Sequence, residues 1–395
     1  MARVSELSDS HGRDATVLIG GDICPIGRNA ELFVRGDARR LFGDLLDDFE
    51  RADLVVANLE CPLVKEQSPI EKTGPVFGVE SACINGIQAA GLHLVCLANN
   101  HIFDHGVEGL ENTLNECAKA GIATVGAGRD LAAAQEPFIR SVGGRRVAIL
   151  AMAEHEFSIA TRTRAGANPL DVIDYTRQVA SLRGAYDHLV VLLHGGPEFI
   201  TVPSPRLRKT CRFLIEMGAQ TVVVQHPHAF GGYERYRSGH IVYGQGALVM
   251  DEALYGNLKS FHEGFLVHLT IRAKGEATVT LIPFVQSDSA AGARKMGPDA
   301  AAAFQEFMDG KAAAIADDEY VEQEWLRFCR DRQHGYLSAL LGHNRMFRIA
   351  NRRGLVTRLL HGRRALLQAR NVLNCETHRD AVQTLLDDMY RERRP

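Results

Sequence analysis

Carboxylate, amide and imidazole side chains recur in this chain immediately after short apolar runs. Asp22 closes Gly20-Gly21-Asp22, Glu60 ends Asn58-Leu59-Glu60, and Asn100 and His101 stand in Asn99-Asn100-His101. His155 follows Glu154, His194 opens His194-Gly195-Gly196, and His226 and His228 flank Pro227. Nitrogen and oxygen donors in such number suit a hard or borderline divalent ion. Taken alone, each piece is weak. Asp22 after two glycines caps a turn as readily as it binds a cation, and His101 has an ordinary hydrogen-bonding reading. Gly244-Gln245-Gly246 is a poor phosphate loop and better suited to close backbone approach. Pro227 is expected to hold its segment extended and aim the His226 and His228 rings in similar directions. Asp104, three residues after His101, is spaced to orient that imidazole as a carboxylate–imidazole proton-transfer pair. His155, His194, His226 and His228 supply candidates for a second acid/base group, with Asp22 the leading carboxylate to pair with it.

The runs that carry these residues read as strands at Thr16–Gly20, Leu54–Asn58, Leu94–Ala98, Val147–Met152, His188–Leu193, Thr221–Gln225 and His240–Tyr243. Their lack of polar alternation suits strands covered on both faces. Helical periodicity fills the intervals, as at Gly106–Ala120 and Arg206–Met217, and Phe265–Ile271 with Ala277–Ile282 reads as a hairpin. This is an α/β pattern, in which ligands gather outside the carboxyl ends of strands because loops converge there. From about Ala291 strand signals stop, and Ala300–Ala303, Glu322–Arg332 and Arg379–Tyr390 read as helices. The expected division is a tail over 1–14, a metal-dependent catalytic domain over 15–290 and a helical extension over 291–395. Arg345, Arg348, Arg352, Arg353, Arg358, Arg363, Arg364 and Arg370 make the extension locally basic. A solvated or docked helix face is the first reading of that stretch, and a surface for an anionic or peptide partner the second.

The composition is that of an ordinary globular chain: 395 residues, 46% hydrophobic, 24% charged, with a formal net charge of −3. Collagen-like, disordered and coiled-coil classes are excluded, and nothing global draws nucleic acid or an anionic membrane. None of the eight cysteines has the close spacing of a metal or redox box, so they read as reduced, buried thiols. The first residues lack the apolar core of a signal peptide, and no apolar run of about 18 residues occurs. The expected location is the cytoplasm.

Asp22, Asn58-Leu-Glu60, Ala98-Asn-Asn-His101 with Asp104-His-Gly106, Gly126-Ala-Gly128, His194-Gly-Gly and His226-Pro-His228 follow in that order over about residues 15–285. Together they resemble the poly-γ-glutamate capsule synthesis (CapA-type) proteins of the calcineurin-like metallophosphoesterase superfamily. The resemblance implies a four-layer αββα sandwich with metal at the strand ends. It makes Asn100, His194 and His226 correspond to one metal's ligands, Asp22 and His228 to the other's, and Glu60 to the carboxylate between them. His101 corresponds to the histidine that transfers protons beside the metals. The departures are specific. Cys24 stands where the superfamily's Asp-x-His has its histidine, and Asn58-Leu-Glu60 replaces Gly-Asp-x-x-Asp. Gly195 stands where a tryptophan is usual, and Gly244-Gln-Gly-Ala247 replaces Leu-Gly-Asn-Phe. They imply one well-held divalent ion (calcium, manganese or zinc) and at most a weak second.

Asn374-Cys-Glu-Thr-His-Arg379 is similar to the tail of cytosolic members, and the resemblance extends to the epimerases of lasso-peptide pathways. It thereby implies inversion of a Cα centre by His/Asp proton transfer, with a ribosomal precursor peptide bearing a free carboxylate as substrate. Hydrolysis of a phosphoester or peptide-like bond is the alternative, as is an accessory role in poly-γ-glutamate or polysaccharide synthesis. No nucleic-acid or membrane partner is expected, and the oligomeric state is left open.

Overall fold

The computed structural model describes residues 13–253, 255–272, 276–340 and 362–392. Two sheets carry the fold. The first holds β1 (Ala15–Cys24), β2 (Leu54–Leu59), β3 (Leu94–Cys96) and β4 (Ala123–Val125) in parallel. The second holds β5 (Phe138–Val142), β6 (Arg145–Ala153), β7 (His188–His194), β8 (Thr221–Gln225), β9 (Tyr233–Tyr236) and β10 (Gly239–Val242), in the order β9-β10-β8-β7-β6-β5. The chain then returns to the first sheet. There, on the edge of β1 away from β2, β11 (Ala247–Met250) runs parallel to the end of β1 and β12 (Glu263–Ile271) antiparallel to its start, and β13 (Ala277–Gln286) and β14 (Ala293–Lys295) extend the sheet antiparallel.

Alternation along the second sheet fixes the layers. Ile149, Ala151, Val190, Leu192 and Val223 are buried in one cluster with the first sheet. Their neighbours Ala148, Leu150, Val191, Leu193, Val222 and Val224 face outward onto α2 (Val172–Ser181) and α3 (Pro205–Glu216), through Tyr175, Val179, Leu207, Cys211 and Leu214. On the far side of the first sheet, Phe33, Leu41, Phe42, Ile87, Leu110 and Cys117 pack from short helices and from α1 (Gly106–Lys119). The αββα layering implied by the resemblance is present, because strands with no polar alternation must be covered on both faces.

All seven expected strands form, and so does the hairpin. Further strands escape the apolar-run reading, the short β4 among them. Phe138–Val142 is an exposed edge strand whose signal is Gly143-Gly144, a tight hairpin turn before β6. Tyr233–Tyr236 is a short polar edge, and Ala247–Met250 is a four-residue run hidden behind the glycines of its loop. Strand signals do not end at Ala291, since Ala293–Lys295 pairs with β13 and carries the sheet past residue 290. Strand β1 also runs beyond Gly20 to Cys24. Asp22 is therefore a strand residue paired with Asn58, beside a register irregularity, and not the cap of a turn. Gly21 is required there, because a Cβ on it would stand 2.0 Å from the Gly246 carbonyl oxygen.

The C-terminal segment supplies α4 (Pro298–Ile315), α5 (Asp318–Leu340), α6 (Arg363–Asn374) and α7 (Glu376–Glu392). Helix α4 packs Phe304 against Phe230 and Phe265 of the sandwich. Trp325 and Cys329 of α5 pack on Ala381 and Leu385 of α7. Of the basic stretch, Arg345, Arg348, Arg352, Arg353 and Arg358 lie outside the described residues, and Arg363 pairs with Glu71. All eight cysteines are buried and unpaired. No helix among the described residues is long and apolar enough to cross a membrane.

Candidate active site

The carboxyl ends of β1, β2, β7 and β8 converge on Glu60. Its Oε1 lies 3.4 Å from His194 Nε2, 3.8 Å from His226 Nδ1 and 3.8 Å from His228 Nε2. Asp22 faces the same group, with Oδ2 3.5 Å from His228 Nδ1 and Oδ1 3.9 Å from His194 Nδ1. These separations exceed those of good hydrogen bonds. Both Glu60 oxygens and the Nδ1 atoms of His226 and His228 are consequently buried without a hydrogen-bond partner.

Orphaned buried polar atoms are costly unless something else satisfies them. Glu60, His194 and His226 offer ligand atoms all within 4.8 Å of one another, as do Asp22, Glu60 and His228, and Glu198, His226 and His228. The donor set fits a divalent cation. Charges in the ion-free site point the same way. Burial works to raise the Glu60 carboxyl, yet the charges of His228 and His194 hold it well below the usual carboxylate range. Burial likewise opposes the charged form of His226, but the Glu60, Glu198 and Glu156 carboxylates push it up to about 10. Burial opposes the charged form of His228 too, but Glu60, Asp22 and Glu198 raise it. Both shifts favour the protonated imidazole, a form that a bound cation would oppose.

The segment around Pro227 is not extended. His226 has φ of 96° and His228 φ of 48°, both left-handed, so the backbone kinks on either side of the proline. The ring centroids still lie 5.8 Å apart. The kinks bring both rings to Glu60, which the alternation of an extended segment does not explain. Such strained backbone persists only where the surroundings over-determine it.

Asn58 stays outside the cluster of donors. Its amide donates to Asp22 Oδ1 at 2.8 Å and its carbonyl accepts from Asn99 at 3.0 Å, so it positions Asp22. Asn100 Oδ1 lies 3.1 Å from His194 Nε2, at the rim. Burial, with Cys61 adding to it, pushes the Cys24 thiol well up, and Cys24 belongs to none of the ligand groups.

Beside the cluster, His101 Nδ1 lies 2.7 Å from Asp104 Oδ2. The Asp104 carboxylate is fully buried and held twice more, by Phe77 N at 2.8 Å and by Lys72 Nζ at 2.6 Å. With Nδ1 engaged, Nε2 is the nitrogen left for a substrate. Lys72 sits in an irregular loop with no periodicity to betray it, and sequence reading missed it. Glu198, two residues past Gly196, was also missed.

His101, Lys72, Asn100, Glu198 and His226 line one cavity of about 240 Å³. Its remaining walls include Glu156 from the loop after β6 and Cys375 and His378 from the start of α7. A wider cleft of about 590 Å³ between α3, α5 and α7 touches none of the clustered histidines. His155 is not brought to the site. Its Nδ1 pairs with Glu376 Oε1 at 2.5 Å, tying α7 to the sandwich.

The glycine at 195 has a local reason. A Cβ there would stand 2.7 Å from Glu154 Cγ. Glu154 accepts from Gly196 N at 3.0 Å and from Thr377 Oγ1 at 2.5 Å, and it is paired with Arg206. Gly195 thus makes room for the carboxylate that anchors α7.

A sandwich of this layering, with nitrogen and oxygen donors gathered at its strand ends, defines an α/β protein of the αββα class. The sequence of residues 16–252, more than half of the chain, matches the family described as bacterial capsule synthesis protein PGA_cap, and the chain belongs to that family. It is 26% identical to the capsule biosynthesis protein CapA of Bacillus anthracis over 71% of this chain and 69% of that one. It is 27% identical to the PGA biosynthesis protein CapA of Bacillus subtilis, over 52% of this chain and 55% of that one. A probable polyglutamine synthesis accessory protein of Mycobacterium tuberculosis is 30% identical over 60% of this chain and 66% of its own length.

Proposed function

We propose that this chain is a metal-dependent acid–base enzyme that hydrolyses or transfers a bond in a carboxylate-rich, amide-linked chain, as an accessory to poly-γ-glutamate-type polymer synthesis. The observation that carries the reading is the His101–Asp104–Lys72 relay standing beside the Glu60-centred donors over a single cavity. Asp22, Glu60, Asn100, His194, His226 and His228 would hold a divalent ion, which would supply Lewis-acid polarisation and charge stabilisation there. Asp104 holds the His101 ring by Nδ1, and Nε2 delivers a proton to the departing group. Lys72 and Phe77 N keep the Asp104 carboxylate in place. Arg332, on the cavity wall, meets a substrate carboxylate. The names of the relatives support the polymer context, since they speak of capsule, PGA and polyglutamine synthesis.

The epimerase reading needs a second proton-transfer group facing His101 across a Cα, and no relative reported above is named as an isomerase. Incubation of the full chain with γ-glutamyl oligomers, a peptide panel and a phosphoester panel in deuterium oxide, with divalent metal, separates the readings. Cleaved or transferred γ-glutamyl products support the proposal. Deuterium at Cα with appearance of the D-isomer and no cleavage replaces it with the isomerase, and turnover of phosphoesters alone replaces it with a phosphoesterase.

A further inference from the structure

The wall of the cavity furthest along the chain holds a second group of donors. Glu156 comes from the loop after β6. Cys375 stands at the break between α6 and α7, and His378 lies one turn further on the same face of α7. One ligand atom from each lies within 4.8 Å of the other two. Cys375 is buried, at 2% exposed.

The break that places Cys375 there is well fixed. Its N–H still caps α6 on the Asn371 carbonyl at 2.9 Å, and its own carbonyl accepts from Arg379 N at 2.9 Å. Between the two ligands and just beyond them the chain is clamped to the sandwich: Glu376 on His155, Thr377 on Glu154, and Asp380 on Arg206. The donors are therefore held in place by contacts that do not use them, as a preorganised metal site requires. Asn100 links this group to the first. Its Nδ2 donates to Glu156 Oε2 at 3.4 Å while its Oδ1 faces His194.

From this juxtaposition we infer that Glu156, Cys375 and His378 form a second, thiolate-containing divalent-metal site of the zinc class, which ties the C-terminal helices to the sandwich and turns an open coordination position to the cavity. Its chemistry differs from that of the first group. A thiolate with an imidazole and a carboxylate selects zinc or cobalt over calcium, magnesium and manganese, whereas the Glu60 group is all nitrogen and oxygen. Three protein ligands leave a fourth position for water or a substrate oxygen, the open arrangement of zinc centres that touch substrate. The bland alternative is a buried thiol acting as a small apolar side chain.

The test is titration of the full-length protein with cobalt(II), read by absorption and by bound metal per chain. The site predicts near-ultraviolet thiolate-to-cobalt charge-transfer absorption and two ions per chain at saturation. Cys375→Ser abolishes that absorption and lowers the stoichiometry by one. Glu60→Gln also lowers it by one yet retains the absorption, which keeps the first site's failure distinct from the second's. Should Cys375→Ser not fold, His378→Asn serves, with weakened cobalt binding and loss or displacement of the same absorption. Wild-type protein that saturates without thiolate absorption, or Cys375→Ser that keeps it, overturns the assignment.

Discussion

Strand β7 carries a histidine at each end, and the two ends of the sandwich teach different things through them. His188, at the amino end, is fully buried with Nε2 3.0 Å from Thr221 Oγ1, and burial pushes it down to about 4, with His240 adding to the effect. His194, at the carboxyl end, is 2% exposed and also lowered by burial. There, however, the Glu60 and Asp22 carboxylates pull the other way. Burial alone lowers the basicity of an imidazole, while convergent carboxylates at the strand ends oppose that loss and suit His194 to the ion-binding role proposed above. The same strand thus carries one structural and one chemical histidine, distinguished by which end of the sheet the loops converge on.

The sharpest way to break that comparison is to exchange the roles. His101→Ala, at the carboxyl end, should lower activity by about 10² to 10⁴-fold, the usual contribution of a positioned proton-transfer group, with circular dichroism unchanged. His188→Gln should keep its activity. Full activity in His101→Ala removes the proposed chemistry whatever the first substrate proves to be.

The amino end should reveal itself through stability. The folded form keeps His188 neutral down to about pH 4, whereas the unfolded chain protonates it below about 6.5. Its stabilising contribution is therefore complete above the unfolded value and is lost as pH falls through that window, by about 3 kcal/mol at most. Urea unfolding midpoints between pH 7 and pH 4 should fall more steeply in the wild type than in His188→Gln. Parallel slopes would mean that this imidazole is neutral for some other reason, or not at all.

The carboxyl end should respond to metal instead. An ion that binds only the folded chain adds about 2.7 kcal/mol at a hundredfold excess over its Kd. The gain in Tm should shrink in Asp22→Asn and Glu60→Gln and survive in His188→Gln. Because His226 is pushed up to about 10 and His228 is raised as well, ion binding should release protons and weaken as pH falls. Calorimetry in buffers of different ionisation enthalpy reads that release directly, and zero protons released would contradict the site.

Most of the strand-end chemistry was legible because it depends on local order. An apolar run followed at once by Asp22, Glu60, Asn100 or His194 states both the strand and the end at which its polar group emerges. The pairing of His101 with Asp104 was legible too, from a spacing of three residues in one loop. What the sequence hid were groups brought in by long-range packing from irregular segments. Lys72 reaches Asp104 from 32 residues upstream, and Glu156 meets Cys375 and His378 across more than half the chain. His155 went astray for the converse reason. It follows a strand as the others do, but its ring goes to Glu376, while Glu154 and Glu156 on either side of it line the cavity.

That misplaced histidine supplies the last and smallest test, of how α7 is held over the cavity. The His155 ring is 37% exposed, so its pair with Glu376 is screened by water and its effect must be slight. Glu376, accepting from the His155 ring, raises that imidazole, burial opposes, and the charges of Glu376, Asp171 and Glu154 add to the rise. Burial raises Glu376, but His155 outweighs it and leaves the carboxyl lowered. A raised histidine stabilises the docked helix below its unfolded value of about 6.5 and ceases to do so as pH rises through the folded value. A lowered carboxylate does the reverse, stabilising above about 4.3 and failing as pH falls. Docking should then be tightest in mild acid and loosen slightly towards pH 9, while Thr377 on Glu154 and Asp380 on Arg206 continue to hold the helix. Hydrogen exchange over residues 363–392, corrected for the intrinsic pH dependence, should show less protection at pH 9 than at pH 6. In His155→Gln that difference should vanish, and a difference that persists there would mean that the clamp, and with it the cavity wall, is governed by other groups.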